Sequence, residues 1–193
     1  MLKQLIEFDH RFFEVINSLH NPFFDEIMYW ASYKYTWIPL YAIIIYFIFR
    51  QYKRQGLIIV IGIVLTLILC DQLSVLIKDY FMRLRPSHNA IYATIIHLNH
   101  GIKGGTYGFV SSHAANTSGF ATFLIFFPIF RKKIIIVLLI FWVLLISYSR
   151  IYNGLHYPAD VIGGIFLGFF VGIGITYATK IVILKNKKYK LKN

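Results

Sequence analysis

From Leu57 to Ile77 the chain carries a single charged residue, Asp71, and four further stretches are nearly as apolar: Thr36 to Phe49, Ser112 to Phe130, Ile134 to Ser149 and Pro158 to Leu184. Nothing constrains the fold more. In hydrocarbon every backbone N–H and C=O must find its partner within the protein, and an α-helix supplies those partners inside one segment. Each stretch therefore reads as a membrane span. Several are shorter than the roughly 20 residues a straight crossing needs, so their ends fall at the interface, where Tyr, Trp and Phe are abundant here. The 193 residues are 58% hydrophobic and only 15% charged, with a mean hydropathy of +0.62, which excludes a soluble domain of ordinary make-up. The expected fold class is all-α: a polytopic membrane protein whose single domain, 1–193, is a compact bundle of about six transmembrane helices. Five spans are clear. A short or partial sixth is expected from Phe23 to Trp37, after the Asn21-Pro22 break, although Asp25, Glu26 and Lys34 interrupt it.

A net charge of +12 would suggest nucleic acid in a water-soluble chain. Here the basic residues gather between the spans instead: Arg50, Lys53 and Arg54; Arg131, Lys132 and Lys133; and a tail, 185–193, with Lys185, Lys187, Lys188, Lys190 and Lys192. If the spans alternate in direction, all three clusters share one face, which the positive-inside rule makes cytoplasmic. The expected partners are thus membrane lipids and no nucleic acid. The loop 78–111 and the connection Arg150 to Tyr157 then emerge on the extracytoplasmic face, although Lys78, Arg83, Arg85, Lys103 and Arg150 run against the topological trend. Residues 1–20 mix Leu2, Leu5, Ile6, Phe8, Phe12, Phe13, Val15 and Ile16 with Lys3, Glu7, Asp9, Arg11 and Glu14, the composition of an amphipathic helix in the interface. The start lacks the pattern of a signal peptide, and the side on which the N-terminus lies is left open with a lean to the cytoplasm. The one cysteine, Cys70, excludes a disulfide framework and a Cys-based zinc site.

Three span ends on the extracytoplasmic face carry complementary chemistry. Lys78 and Arg85 follow the second span, Ser111, Ser112 and His113 open the third, and Arg150, His156 and Asp160 surround the last connection. Arg presents a planar fork of donors to phosphate oxygens and Lys a compact charge, so Lys78, Arg85 and Arg150 suit a phosphate dianion. A helix starting at Ser111-Ser112-His113 adds free N–H groups, the positive end of its dipole and two hydroxyls. His156 and Asp160 lie four apart around Pro158, a residue well placed in a first helical turn. Asp160 can then hold one imidazole nitrogen while the other attacks phosphorus. His113 is the expected general acid and, against the phosphohistidine, the base that activates water. Taken singly, each residue has a duller reading: a snorkelling cation, a packed histidine, a helix N-terminal carboxylate. Three independent segments with one polarity outweigh those readings.

The constellation resembles the type 2 phosphatidic acid phosphatase (PAP2) family of membrane lipid phosphatases. Its first motif, K-x6-RP, is matched by Lys78, Arg85 and Pro86, and its third, SR-x5-H-x3-D, by Ser149, Arg150, His156 and Asp160. The second, PSGH, is half matched: Ser111 and His113 are in place, but Val110 stands where the family has Pro and Ser112 where it has Gly. The resemblance implies His156 as nucleophile, Asp160 as its partner, His113 as acid and base, and Lys78, Arg85, Ser111, Ser112 and Arg150 as phosphate cradle. It also implies a bundle of about six helices with its site near the outer leaflet, and no metal or cofactor.

The inventory of ligands agrees with that last point. After Glu26 the acids are Asp71, Asp79 and Asp160, too scattered for a carboxylate cage around Mg2+ or a two-metal site. His97 and His100, with His88 in the same loop, are a zinc candidate that no Cys or Glu completes, so the loop reads instead as an exposed lid, mobile at Gly101, Gly104, Gly105 and Gly108. Asp71 is expected to be paired in the bundle or to face a polar cavity. The function expected is metal-independent hydrolysis of a lipid phosphate or diphosphate at the outer face, in a bacterial cytoplasmic membrane. Substrate classes from the family are undecaprenyl diphosphate, phosphatidylglycerophosphate, phosphatidic acid and lipid A. The alternatives are a phosphotransferase using the same intermediate and a non-catalytic lipid-phosphate binder or transporter.

Overall fold

The computed structural model describes residues 1–190, with the side chains of Leu2 and of residues 187–190 excepted. Of the basic tail, Lys192 lies outside the described residues. Seven helices account for most of the chain: α1 (Leu2–Ser18), α2 (Pro22–Ser32), α3 (Ile38–Tyr52), α4 (Gly56–Phe81), α5 (Ser112–Ile125), α6 (Lys133–Tyr152) and α7 (Pro158–Lys190). Three described stretches are long and apolar enough to cross a membrane: Lys34–Phe81, which holds both α3 and α4, then Lys133–Tyr152 and Pro158–Asn186. The protein is an all-helical, polytopic integral membrane protein.

The spans expected from hydropathy correspond to α3 to α7, each with displaced ends. α4 and α6 run one helical turn or so further, so that Lys78 and Arg150 sit in last turns rather than in loops. The loop expected over 78–111 accordingly begins only after Phe81. α7 continues into the basic tail as far as Lys190. α5 is shorter than its stretch: it stops at Ile125, and Pro128–Phe130 forms a separate 3-10 turn.

α5 is also the helix around which the others pack, and glycines permit the closest approach. A Cβ at Gly168 of α7 would fall 2.1 Å from the Ala115 carbonyl oxygen of α5, and one at Gly164 would fall 2.4 Å from that of Ser111. Small residues four apart thus let two backbones touch, the usual device for helix pairing where lipid offers no hydrophobic drive. The consequence for the site is direct, because the contact fixes the first turn of α5 beside the first turn of α7. There the Ser111 N–H donates to the Asp160 carbonyl at 2.8 Å.

The two N-terminal helices pack at the site end of the bundle. α2 covers only part of the apolar stretch from Phe23 to Trp37, and a 3-10 turn, Lys34–Trp37, follows it. Asn21 caps it, accepting from the Phe24 N–H at 3.0 Å, and Pro22 fills the first turn. Its two ends pack against neighbouring residues of α6: Asn21 donates its N–H to the Tyr152 hydroxyl, and Ser32 pairs with Arg150. α1 is amphipathic, with exposed apolar residues beside its charged ones. It exposes Leu5, Phe8, Phe12, Val15 and Leu19 and buries Asp9, Phe13, Ile16 and Asn17 on one stripe. That stripe carries apolar and polar side chains alike and meets residues near the site, Asp9 with Arg83 and Asn17 with the Tyr152 carbonyl, so α1 lies at the same end as Asp160. α1 thus sits at the end of the bundle away from the turns that carry Arg50, Lys53, Arg54 and Arg131 to Lys133.

Candidate active site

The last turns of α4 and α6 and the first turns of α5 and α7 meet at one end of the bundle. His156 sits in the connection between α6 and α7 and is buried, and Asp160 follows one turn into α7, fully enclosed. The His156 Nδ1 lies 3.4 Å from the Asp160 Oδ2. That oxygen also accepts the Tyr157 N–H at 3.0 Å. Burial, then the charges of Arg85, Arg150 and Lys78, hold the His156 pKa well below the usual histidine value. The imidazole is therefore neutral, the state in which its other nitrogen is nucleophilic.

The cations arrive from three directions. Arg150, in the last turn of α6, pairs with the Ser32 hydroxyl while its Nε has no protein partner among the described residues. It lines a cavity of about 230 Å³ together with His113, Ser32 and Lys34. Arg85 is aimed by two carbonyls, donating from Nε to Tyr107 at 3.0 Å and from a terminal nitrogen to Leu155 at 3.3 Å. Lys78 pairs with the Ser112 hydroxyl, which lies 2.6 Å from that of Ser74. His113 and Ser112 share a second cavity, of about 340 Å³, with Asp71, Trp37 and Asn116. Asp71 is thus the polar edge of a cavity, without an ion-pair partner among the described residues.

Both departures from the PSGH motif have a local account. Val110 is buried and packs over Gly163, where a Cβ would come within 2.7 Å of its methyl group. Ser112 supplies the hydroxyl that holds Lys78, a contact glycine cannot make. Ser111, by contrast, is fully buried, and its hydroxyl accepts from the Ala114 N–H as the cap of α5. The glycines read as hinges of a lid also serve close approach. At Gly104, whose φ is +68°, a Cβ would meet the Arg85 guanidinium at 2.7 Å, and at Gly108 one would meet the Asp160 carboxylate at 2.8 Å.

Two residues at the site were not recognised from sequence. Arg83 donates to Asp160 Oδ1 at 2.7 Å and, through its other terminal nitrogen, to Asp9 Oδ2 at 2.5 Å. Asp9 also accepts the Ala159 N–H at 2.7 Å. The chain of contacts Asp9, Arg83, Asp160, His156 links α1 to the imidazole. The Arg83 guanidinium lies 4.4 Å from the ring centroid of Tyr157, whose hydroxyl is pushed up to about 12 by burial, so the ring stays neutral beside the cation. Arg83 had one signal, as a cation on the face where cations are disfavoured. Asp9 had none, since an acid in an interfacial helix is ordinary.

The chain that places this imidazole beside a carboxylate, with enclosed cations and a helix N-terminus around them, matches the PAP2 superfamily over residues 55–183. The chain belongs to the PAP2 superfamily. Lipid A 4'-phosphatase of Bacteroides thetaiotaomicron is 36% identical over 176 residues, covering 89% of this chain and 77% of that protein. Undecaprenyl-diphosphatase of Sulfolobus acidocaldarius is 32% identical, covering 88% and 77%. Among solved structures, Aquifex aeolicus LpxE superimposes with a TM-score of 0.67 at 27% identity, over 86% of this chain and 92% of that one. A PAP2 type phosphatidylglycerolphosphate phosphatase from Bacillus subtilis shares the fold, with a TM-score of 0.69 at 20% identity over 93% and 88%. This PAP2 protein is accordingly a membrane phosphatase of the phosphoric monoester hydrolase class.

Proposed function

We propose that the protein removes a phosphate monoester from a lipid of the lipid A class through a phosphohistidine, on the extracytoplasmic side of a bacterial cytoplasmic membrane. The observation that carries the reading is a neutral, enclosed imidazole backed by Asp160 and acted on by Arg85, Arg150 and Lys78. The His156 Nε2 attacks phosphorus, a nitrogen–phosphorus bond forms, and the bond from phosphorus to the lipid oxygen breaks. His113 gives its proton to that leaving oxygen, and the incoming dianion favours the protonated form it starts from. Deprotonated His113 then takes a proton from water, which attacks phosphorus and frees His156. The cations and the N–H groups at the start of α5, with Ser111 and Ser112, offset the charge that develops on the phosphoryl oxygens. No step calls for a metal.

Two relatives of lipid A 4'-phosphatase type, at 36% and 34% identity over 89% of the chain, favour lipid A as the substrate class. The undecaprenyl-diphosphatase relative supports a diphosphate as the second reading. The orientation follows from charge. Arg50, Lys53 and Arg54, with Arg131 to Lys133 and the end of α7, occupy the end opposite the site, and positive-inside placement makes that end, with the C-terminus, cytoplasmic.

The test is phosphate release by detergent-purified protein from lipid A, undecaprenyl diphosphate, phosphatidylglycerophosphate and phosphatidic acid, each with and without EDTA. Release from lipid A in EDTA, with an acid-labile phosphoryl group on His156, is the expected outcome. Turnover that needs a second lipid acceptor would make the protein a transferase, and lipid movement that persists in His156→Ala would make it a transporter.

A further inference from the structure

Outside the groups that act on phosphate, His20, Asp25 and His97 bring one ligand atom each within 4.8 Å of one another. They come from three places: the corner between α1 and α2, the first turn of α2, and the connection between α4 and α5. The zinc candidate read from sequence was His97 with His100 and His88. The fold separates those three, pairing His100 with Glu26 at 3.1 Å and His88 with the Ser87 hydroxyl at 3.0 Å. It brings to His97 an acid and an imidazole from elsewhere.

The cluster is built rather than incidental. The His97 Nε2 is 3.1 Å from the Asp25 Oδ1, and the same oxygen accepts the Tyr152 hydroxyl at 2.8 Å. Asn17 holds the backbone of His97 from both sides, donating to its carbonyl and accepting its N–H, each at 2.9 Å. The Asn99 side chain donates to the Asp25 carbonyl. These bonds hold the backbone of His97 and Asp25 in place, and the Tyr152 hydroxyl orients the Asp25 carboxylate, as second partners do around a metal. The His20 ring stacks on that of His97 with centroids 3.9 Å apart and planes 8° from parallel.

We propose that His20, Asp25 and His97 bind a divalent ion of the Zn2+ type, with water completing the tetrahedron, and that this ion braces the connection between α4 and α5. Two imidazoles and a carboxylate are a donor set that Zn2+ takes and that Ca2+ and Mg2+, which require oxygen, do not. Bonds of about 2.0 to 2.2 Å need donors about 3.4 Å apart, so the His20 ring must leave the parallel stack. It is exposed and free to turn. The ion replaces the direct contact between His97 and Asp25 and ties both to the corner after α1. No step of the phosphatase reaction passes through it, so EDTA-resistant turnover leaves the proposal untouched.

The test uses tag-free, full-length protein in detergent, stripped with a chelator and titrated with Zn2+ against a competing indicator. About one ion per chain is expected. His20→Ala, a change at an exposed side chain that need not disturb folding, should weaken binding at least tenfold, as should Asp25→Asn. His100→Ala should leave it unchanged. Hydrogen exchange of the backbone around His97 should slow on adding Zn2+ to the wild type and not to His20→Ala. Absence of stoichiometric binding, equal affinity in wild type and His20→Ala, or exchange that Zn2+ does not slow would overturn the proposal.

Discussion

The two ends of the bundle are held by different physics. Toward the basic end, Ile44, Ile48, Ile59, Phe123, Leu124, Phe127 and Trp142 form one apolar cluster, in which Trp142 meets the Phe120 ring edge to face. The buried hydroxyls there mostly return to their own helix, as Thr66 does to the Gly62 carbonyl and Thr176 to that of Gly172. At the site end, Phe13, Tyr152 and Tyr157 form a smaller cluster threaded by hydrogen bonds between residues far apart in sequence: Asp9 to Ala159, Asn17 to Tyr152, Arg83 to Asp160. Shape and burial specify the first end, where a similar side chain does nearly as well. Individual pairings specify the second, where a lost partner leaves a buried polar group unsatisfied.

The largest expected effect breaks chemistry without breaking either end. His156→Ala should lower phosphate release by on the order of 10⁴-fold or more, since the nucleophile is gone. The thermal midpoint in detergent should stay within a few degrees, and full activity would remove His156 from the reaction. His113→Ala should do likewise. Gly168→Ala should break the comparison itself, because its methyl would meet the Ala115 carbonyl and force α7 from α5. A loss of about 2 to 4 kcal/mol should appear as a lowered unfolding midpoint, together with lost activity, since the same contact aligns Ser111 with Asp160. An unchanged midpoint would show that the helices do not depend on that approach.

The apolar end was legible in the sequence because hydropathy is additive along a segment, and the spans from α3 to α7 needed no knowledge of their neighbours. Lys78, Arg85, Arg150, His156 and Asp160 were legible too, each lying within a few residues of a span end where charge is conspicuous. What could not be read were pairings without a local pattern. Nothing about Asp9 in its own helix indicates that it meets Arg83, and Asp25 with His97 is equally silent. The partners of α2 were likewise hidden, since its polar residues are held by α6 and by the connection between α4 and α5.

If the site end depends on pairings, cutting one remote from phosphate should still slow the reaction. Arg83→Leu should lower kcat by about 10- to 100-fold, the usual range for an outer partner, with little change in KM. Asp9→Asn should lower it less, because Arg83 keeps Asp160. The double variant should resemble Arg83→Leu alone, since both act through one carboxylate. Additive losses in the cycle, or a change confined to KM, would show that α1 acts on the substrate and not on the imidazole.

The smallest effect concerns acidity and separates burial from charge at His156. A lowered pKa means that the free enzyme keeps its nucleophile neutral as the pH falls through about 6.5, the ordinary histidine value, and loses it only further down. The acid limb of kcat/KM should therefore lie below that value. Arg85 is the largest of the charges that, after burial, depress His156. Arg85→Gln removes a cation that disfavours protonation, so the His156 pKa rises and the acid limb moves to higher pH. That displacement is readable even though the phosphate cradle is weakened, because the position of the limb is independent of the height of the profile. A limb that stays in place would mean that burial, and not the neighbouring cation, keeps the imidazole neutral.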